Sequence, residues 1–430
     1  MLEPETLYHQ IQVSGDGAGA PATTRRKPLG RDFRLYATGR AVSVVGDRVA
    51  TITLIFLIIH LSHSFAPAVA LYYLSRILPS LLGGLAVGVM VDQLDRQRLM
   101  VGADLGRAVL LGAIPLLGAT HFWALYPAIV VLYALTLVFG TAAVAALPDI
   151  VPEGQMMAAN SILGAISSSA DFAYAVGGVL VFVLGLQAPF YIDAVTFLFS
   201  AVTISAMRFP RRVRESFPGL HASLVRVREG AVFILDHPFL KWSTLALTLG
   251  PLAGGAIYVL MPLYANSVLG RQKYAISALR SGAFRFSMLE VALGVGLLLG
   301  TGIAPWAARH RPRGTIFGLG LAGTGIAYSL LSLATNFYLA CAILILAGIC
   351  NSVFIITGIT VVQTLTPSEV RGRVGAARGT MIDAALAVGS ALAGPLLVVL
   401  SIRVAWALLG AAIAASSLLI WLRPDVRGQV

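Results

Sequence analysis

Charge is what this 430-residue sequence has least of: 12% of its residues are charged and 19 are acidic. A soluble domain averages about 25% charged residues, so a soluble globular fold is excluded. Cysteine is nearly absent. Cys341 and Cys350 fall in one apolar run, which leaves neither a disulfide framework nor a thiolate spacing for a metal. Lysine is as scarce, with Lys27, Lys241 and Lys273 the only three among 31 basic residues. No phosphate-binding Gly-x-x-x-x-Gly-Lys loop occurs, which excludes ATP as a direct energy source. Nor is there a His-Glu-x-x-His, a Gly-x-Ser-x-Gly or a Cys/His cluster, and the seven histidines are scattered. Enzymatic chemistry, a cofactor and a metal centre are therefore not expected.

What the chain does have is apolar side chain: 57% hydrophobic residues and a mean hydropathy of +0.84. These recur in runs close to the ~20 residues that cross ~30 Å of hydrocarbon as a helix. Twelve spans are predicted, at 35–60, 66–90, 99–119, 123–147, 157–185 and 188–208, then 239–268, 284–307, 314–334, 336–362, 375–400 and 402–422. The fold class is an all-α membrane protein. Residues 1–34 read as a disordered cytoplasmic tail without the apolar region of a signal peptide. Residues 35–208 form one six-helix bundle, 209–238 a polar linker, 239–422 a second bundle and 423–430 a short tail.

The net charge of +12 has a membrane explanation. Arginines gather after spans 2, 6, 8 and 10 (Arg96 and Arg98, the linker arginines, Arg309 to Arg313, Arg371 and Arg373), whereas the breaks after spans 1, 3, 5 and 9 carry no basic residue. Basic residues collect on the cytoplasmic side and meet anionic headgroups, so both termini are expected in the cytoplasm and nucleic acid is not an expected partner. The loop 269–283, with Arg271, Lys273 and Arg280, departs from this pattern.

The two halves repeat one another. Pro152-Glu153 precedes span 5 and Pro367-Ser368-Glu369 precedes span 11; span 5 holds Gly177-Gly178 and span 11 holds Gly394-Pro395. Glycine pairs permit bending and close helix packing. Duplicated halves are the usual construction of secondary transporters, with the substrate near the midplane between them.

Ionisable residues within spans are costly and usually functional. Asp47 stands near mid-depth of span 1, where a carboxyl group can take up and release a proton as its access alternates. The competing reading is a structural ion pair with Arg48 or with Arg76 of span 2. Asp171, Glu290 and Asp383 are further candidates for the proton or for substrate, Asp383 being ranked above Glu290. Asp104 and Arg107, three apart on one helix face, are expected to pair, and Asp193 to start or pack span 6.

The loop between spans 2 and 3 reads Gly88-Val-Met-Val-Asp92-Gln-Leu-Asp95-Arg96-Gln-Arg98. It resembles the signature of the major facilitator superfamily. Ser43-Val-Val-Gly46-Asp47, Leu147-Pro-Asp149-Ile-Val-Pro152, Tyr191-Ile-Asp193-Ala-Val-Thr-Phe197 and Arg371-Gly372-Arg373-Val374 together resemble the branch of enterobactin exporters and macrolide-efflux proteins. The resemblance implies two pseudo-symmetric six-helix bundles and proton-driven export of an amphipathic small molecule by a functional monomer. It implies a conformational latch at Gly88, Asp92, Asp95, Arg96 and Arg98, with Asp149, Arg371 and Arg373, and a cavity lined in part by residues such as Tyr133, Phe139, Tyr258 and Tyr264. Glycine at Gly178, where antiporters often carry proline, departs from the pattern. The alternatives are a lipid or lysolipid flippase, a small-molecule importer, or a non-transporting membrane receptor or assembly protein.

Overall fold

A backbone in hydrocarbon must satisfy its hydrogen bonds within its own segment, which favours helices. In the computed structural model, which describes residues 29–152, 155–169, 172–209, 228–229, 231–236 and 238–422, every regular element is helical. The tail residues 1–28 and 423–430 and most of the linker lie outside the described residues.

The first half comprises α1 (Arg31–Leu61), α2 (Ala66–Gln93), α3 (Arg96–Thr120), α4 (Leu125–Ile150), α5 (Met156–Ser169), α6 (Ala173–Leu184) and α7 (Ala188–Ser205). The second comprises α8 (Pro238–Leu263), α9 (Gly282–Ala308), α10 (Arg313–Leu330), α11 (Phe337–Leu365), α12 (Ser368–Val399), α13 (Ile402–Ser416) and α14 (Leu418–Trp421). Short polar residues start several helices. Asp95 accepts from the backbone N–H of Arg98 at 2.8 Å, and Asn336 accepts from that of Leu339 at 2.7 Å. Both satisfy donors that a helix start leaves open.

Among the described residues, nine helices are long and apolar enough to cross a membrane, and α2 makes ten when its two segments count as one span. Its segments Ala66–Gly84 and Ala86–Gln93 meet at 60°, after the Gly83-Gly84 pair, a sequence that tolerates kinking. Span 5, expected as one helix over 157–185, consists of the two shorter helices α5 and α6. The glycine-rich α10, with 18 residues, stands where the ninth span was expected.

Within the first half, α1 packs on α5, α6 and α7, α3 on α4 and α7, and α2 on α4; in the second, α9 packs on α11, α10 on α11 and α13, and α8 on α12 and α13. The halves meet chiefly through α2 with α12 and α6 with α9. Spans 2 and 11 therefore meet, as do spans 5 and 8. A shift of six spans exchanges these pairs, as a pseudo-two-fold relation of the halves requires.

The contacts between halves concentrate at one end, here called the loop face, which carries residues 62–65 and 264–281. His63 and Ser64, both in the left-handed region at φ 52° and 65°, turn the chain sharply there. The Asn266 amide donates to Ser64 Oγ at 3.2 Å. Phe56 and Phe286 lie 5.9 Å apart, and Gly394 lies against Pro67 and Ala70. At the opposite face, which carries the chain ends, Gly84 and Gly88 of α2 and Gly375 and Gly379 of α12 have nothing within 4 Å of where a Cβ would stand. The described side-chain contacts between the halves near residues 62–67 and 264–286 thus lie toward the loop face, whereas these four glycines have open space before them.

Candidate functional site

Between the two halves lies a cavity of about 360 Å³. Its walls come from both halves: Arg48, Thr51 and Ile55 of α1, Tyr73, Arg76 and Ile77 of α2, Tyr174 of α6, Tyr258 of α8, Phe286 to Leu297 of α9 and Leu386 of α12. The size suits a small organic molecule. Three of the ionisable residues singled out in the sequence, Arg48, Arg76 and Glu290, converge here.

Aromatic rings hold the guanidinium groups in place. Arg48 lies 5.1 Å from the centre of the Tyr174 ring and donates to Tyr174 Oη at 3.4 Å. Arg76 lies 5.2 Å from the centre of the Tyr133 ring. Such contacts recover part of the cost of desolvating a cation. Tyr73 and Tyr258 stack across the two halves at 5.7 Å and 12°. Glu290, eight residues into α9, is about 12 Å along the helix from its start at 1.5 Å per residue. Glu290 lines the cavity; Asp383, ranked above it from the sequence, is not among the lining residues and accepts from Ser80 Oγ at 3.2 Å across the two halves.

Asp47 does not share the cavity. Its nearest cation is Arg40, at 3.9 Å; Arg48 and Arg76, considered as its partners from the sequence, face the cavity instead. The reason is helical geometry. Asp47 and Arg48 are about 100° apart around α1, whereas Arg40, two turns earlier, shares the Asp47 face. Asp47 is one third exposed and acts electrostatically on Asp104 of α3 and Asp193 of α7.

Those two acids form a buried polar layer within the first half. Asp104, Arg107 and Asp193 are fully buried. Arg107 pairs with Asp104, as the three-residue spacing predicts, and its guanidinium lies against Phe139 and Phe197, 4.6 and 4.1 Å from the ring centres. Asp193 accepts from Thr196 Oγ1 at 2.8 Å. It lies six residues into α7 and is a buried polar group; it does not cap the helix start. Gly46 makes room for it: any side chain there would strike the Asp193 carboxylate and the Thr196 hydroxyl. Among the described residues, the second oxygens of Asp104 and Asp193, and Nε and Nη1 of Arg107, find no hydrogen-bond partner.

The loop between α2 and α3 is tied to its own half. Arg96 donates to Asp149 at 3.0 Å and to the Ala145 carbonyl at 2.8 Å, while Asp92 and Arg98 are exposed. The close helix approach expected at Gly88 is absent in this conformation. Arg373 pairs with Glu229 at 2.8 Å. Asp171 and the side chain of Arg371 lie outside the described residues. Gly177 packs against α1, where an added Cβ would stand 3.1 Å from Val49 Cα, and Gly178 against α9, where one would stand 3.3 Å from Phe284 Cα. The pair therefore fits α6 between the two halves. Pro395 lies within α12 next to Gly394, at the closed end.

Of the aromatics weighed from the sequence, Tyr258 lines the cavity and Tyr133 supports Arg76. Phe139 packs on Arg107, and Tyr264 is buried with its hydroxyl donating to the Ala334 carbonyl. The sequence reading missed Arg40, Tyr73 and Tyr174. The seven-residue spacing of Arg40 and Asp47 was a usable signal for the first; nothing local distinguishes the two tyrosines from packing residues.

Comparison with known proteins agrees with this architecture. The family model described as a transmembrane secretion effector matches residues 25–427. Macrolide efflux protein A of Streptococcus pyogenes is 24% identical, over 83% of this chain and 87% of that protein. The multidrug efflux pump Tap of Mycobacterium tuberculosis is 26% identical, over 84% and 85%. Among solved structures, a bacterial homologue of the iron transporter ferroportin in an inward-facing state superposes with a TM-score of 0.71 at 16% identity, over 92% of this chain and 99% of that one. The nucleoside transporter NupG superposes at 0.70 and 11% identity, over 91% and 98%.

Proposed function

The chain belongs to the transmembrane secretion effector family of major facilitator transporters, and from that membership we propose that it is a proton-coupled exporter of amphipathic small molecules, of the drug, antibiotic or siderophore kind, in the cytoplasmic membrane. The observation that carries the reading is the cavity between the halves, lined by Arg48, Arg76 and Glu290, with the Ser64–Asn266 contact on its loop-face side and open space before Gly84, Gly88, Gly375 and Gly379 on the other. With the termini in the cytoplasm, as the arginine distribution favours, this is the inward-open state of an alternating-access cycle.

Substrate enters from the cytoplasm and occupies the cavity at Arg48, Arg76 and Glu290. Asp47, partly exposed and bordering the buried acids Asp104 and Asp193, carries the coupling proton. Gly84 and Gly88 of α2 and Gly375 and Gly379 of α12, open here, are the surfaces on which the two halves would close. The loop at Asp92 to Arg98, with Asp149, Arg371 and Arg373, then latches the closed cytoplasmic side. The homologous efflux proteins support the outward direction.

Everted membrane vesicles containing the protein, energised with an acid lumen, test the proposal. Accumulation of a macrolide, a multidrug-type dye or a catechol siderophore is expected and should collapse when an uncoupler is added. Accumulation indifferent to the proton gradient, or none with any of the three classes, would remove the proton-coupled export reading.

A further inference from the structure

Among the described residues, the buried polar layer of the first half holds more acid than base. Asp104, Arg107 and Asp193 are each 0% exposed, and the guanidinium among them is taken. Arg107 pairs with Asp104 and lies between the rings of Phe139 and Phe197. Asp193 is left without a cation of its own. One of its oxygens accepts from Thr196 Oγ1 at 2.8 Å; the other finds no partner among the described residues. An ionised carboxylate sealed from water inside a membrane is expensive unless a counter-charge and hydrogen bonds surround it. A carboxyl group that keeps its proton avoids that cost.

The helices packed on α7 are α1, α3 and α6, and their ionisable groups complete the surroundings. From α3 come Asp104 and Arg107. In α6 the one titratable residue is Tyr174, which is engaged with Arg48. From α1 come Asp47, with Arg40 3.9 Å from its carboxylate, and Tyr36, beside Arg40 and Asp104. Gly46 lies directly against the Asp193 carboxylate, so the next residue, Asp47, is set beside it, and Asp47 acts on Asp193 electrostatically. The two acids differ in access: Asp47 is one third exposed, Asp193 not at all. Two carboxyl groups that face each other oppose one another's ionisation and titrate as a pair.

We infer that Asp193 is a buried proton-binding site, loaded and emptied through Asp47, so that the two carboxyl groups hold one proton between them. The transfer balances within the pair. Asp47 takes a proton from water, passes it to the Asp193 carboxylate and returns to its own charged form; release runs in reverse. In transport this rests on the export reading, with Asp47 as the port and Asp193 as the store. Occupancy of the site is measurable without flux.

The full-length protein in detergent is examined by infrared difference spectroscopy, in which a protonated carboxyl group has a C=O stretch distinct from the carboxylate bands. At neutral pH the native protein should show such a band, and Asp193→Asn should remove it. On transfer into D2O the band should shift as the proton exchanges. Asp47→Asn should keep the band and slow that exchange at least tenfold. If Asp193→Asn does not fold, as judged by elution and melting temperature, Thr196→Val is measured in its place. Loss of the hydrogen bond from Thr196 should then shift the frequency of the band.

No protonated-carboxyl band in the native protein, as when a sodium ion occupies the acids, overturns the inference. So does a band that survives in folded Asp193→Asn, one that Thr196→Val leaves unmoved, or one whose exchange in Asp47→Asn keeps the native rate. Vesicle flux separates this inference from the export reading. A band that behaves as stated, in a protein that accumulates no substrate under a proton gradient, ends the export reading and leaves the site. Gradient-driven accumulation at the native rate by Asp193→Asn does the reverse.

Discussion

Asp47 and Arg48 are neighbours in sequence with separate environments. One borders the buried acids of the first half; the other faces the central cavity. Asp47→Asn removes the carboxylate proposed to carry the coupling proton and leaves the cavity lining intact. It is expected to abolish gradient-driven accumulation while downhill flux through the same protein continues, as read in the vesicle assay with and without an imposed gradient. Uphill transport at the native rate would take Asp47 out of the mechanism. The buried pair Asp104–Arg107 is a structural matter. Removing one member of a buried ion pair leaves the other charge uncompensated and typically costs about 3–5 kcal/mol. Arg107→Leu should therefore lower the melting temperature clearly, and adding Asp104→Asn should recover part of the loss. Equal melting temperatures for Arg107→Leu and the native protein would mean that the layer contributes nothing to stability. At this scale the sequence was legible where spacing lies within one helix, as for Asp104 and Arg107. It was not legible where a pairing depends on how helices face each other. Glu290 meets Arg48 and Arg76 only through the packing of α9 on the first half, and the arginine–tyrosine contacts likewise join residues on different helices.

At the scale of helices, apolar run length set most of the architecture: each expected span is met by a helix, or a pair of helices, at nearly the same place. Two features escaped that reading, the division of span 5 into α5 and α6 and the bend in α2, because hydropathy averages over the few residues at which a helix breaks. The glycines carry complementary information. At Gly178, where α6 meets α9, an added Cβ would stand 3.3 Å from Phe284 Cα and strike the Ser287 side chain. Gly178→Leu has no room there, so it should disfavour the closed loop face and reduce transport at least tenfold with expression retained. The measurement is the labelling of a cysteine placed on the loop face, expected to rise in the variant; unchanged labelling would separate Gly178 from the closure. Arg96, which joins α3 to α4 through Asp149 and the Ala145 carbonyl, holds the loop between α2 and α3 in place. Arg96→Ala should slow turnover severalfold with little change in apparent substrate affinity. Native turnover would reduce the arginines there to signals of membrane orientation.

At the scale of the whole molecule, a transporter that alternates access needs two states, and in the one described here the halves touch near Ser64 and Asn266 on the loop face. The repeated halves give a reason why a second state is accessible. Spans 2 with 11 and 5 with 8 are exchanged by the pseudo-two-fold, so the same pairs can close at either end by rocking of the bundles. The glycines at 84, 88, 375 and 379, with open space before them, are suited to close helix approach in the state not seen. The contact between Ser64 and Asn266, 3.2 Å apart in their side chains, offers a direct test of the rocking. A Ser64→Cys, Asn266→Cys protein should form a disulfide under mild oxidation, because the turn at His63-Ser64 already brings the two side chains together. Formation should stop transport, and reduction should restore it. If the cross-link forms readily and transport continues at the native rate, the loop face does not open during the cycle, and a rocking exchange of access between the two faces is excluded for this protein.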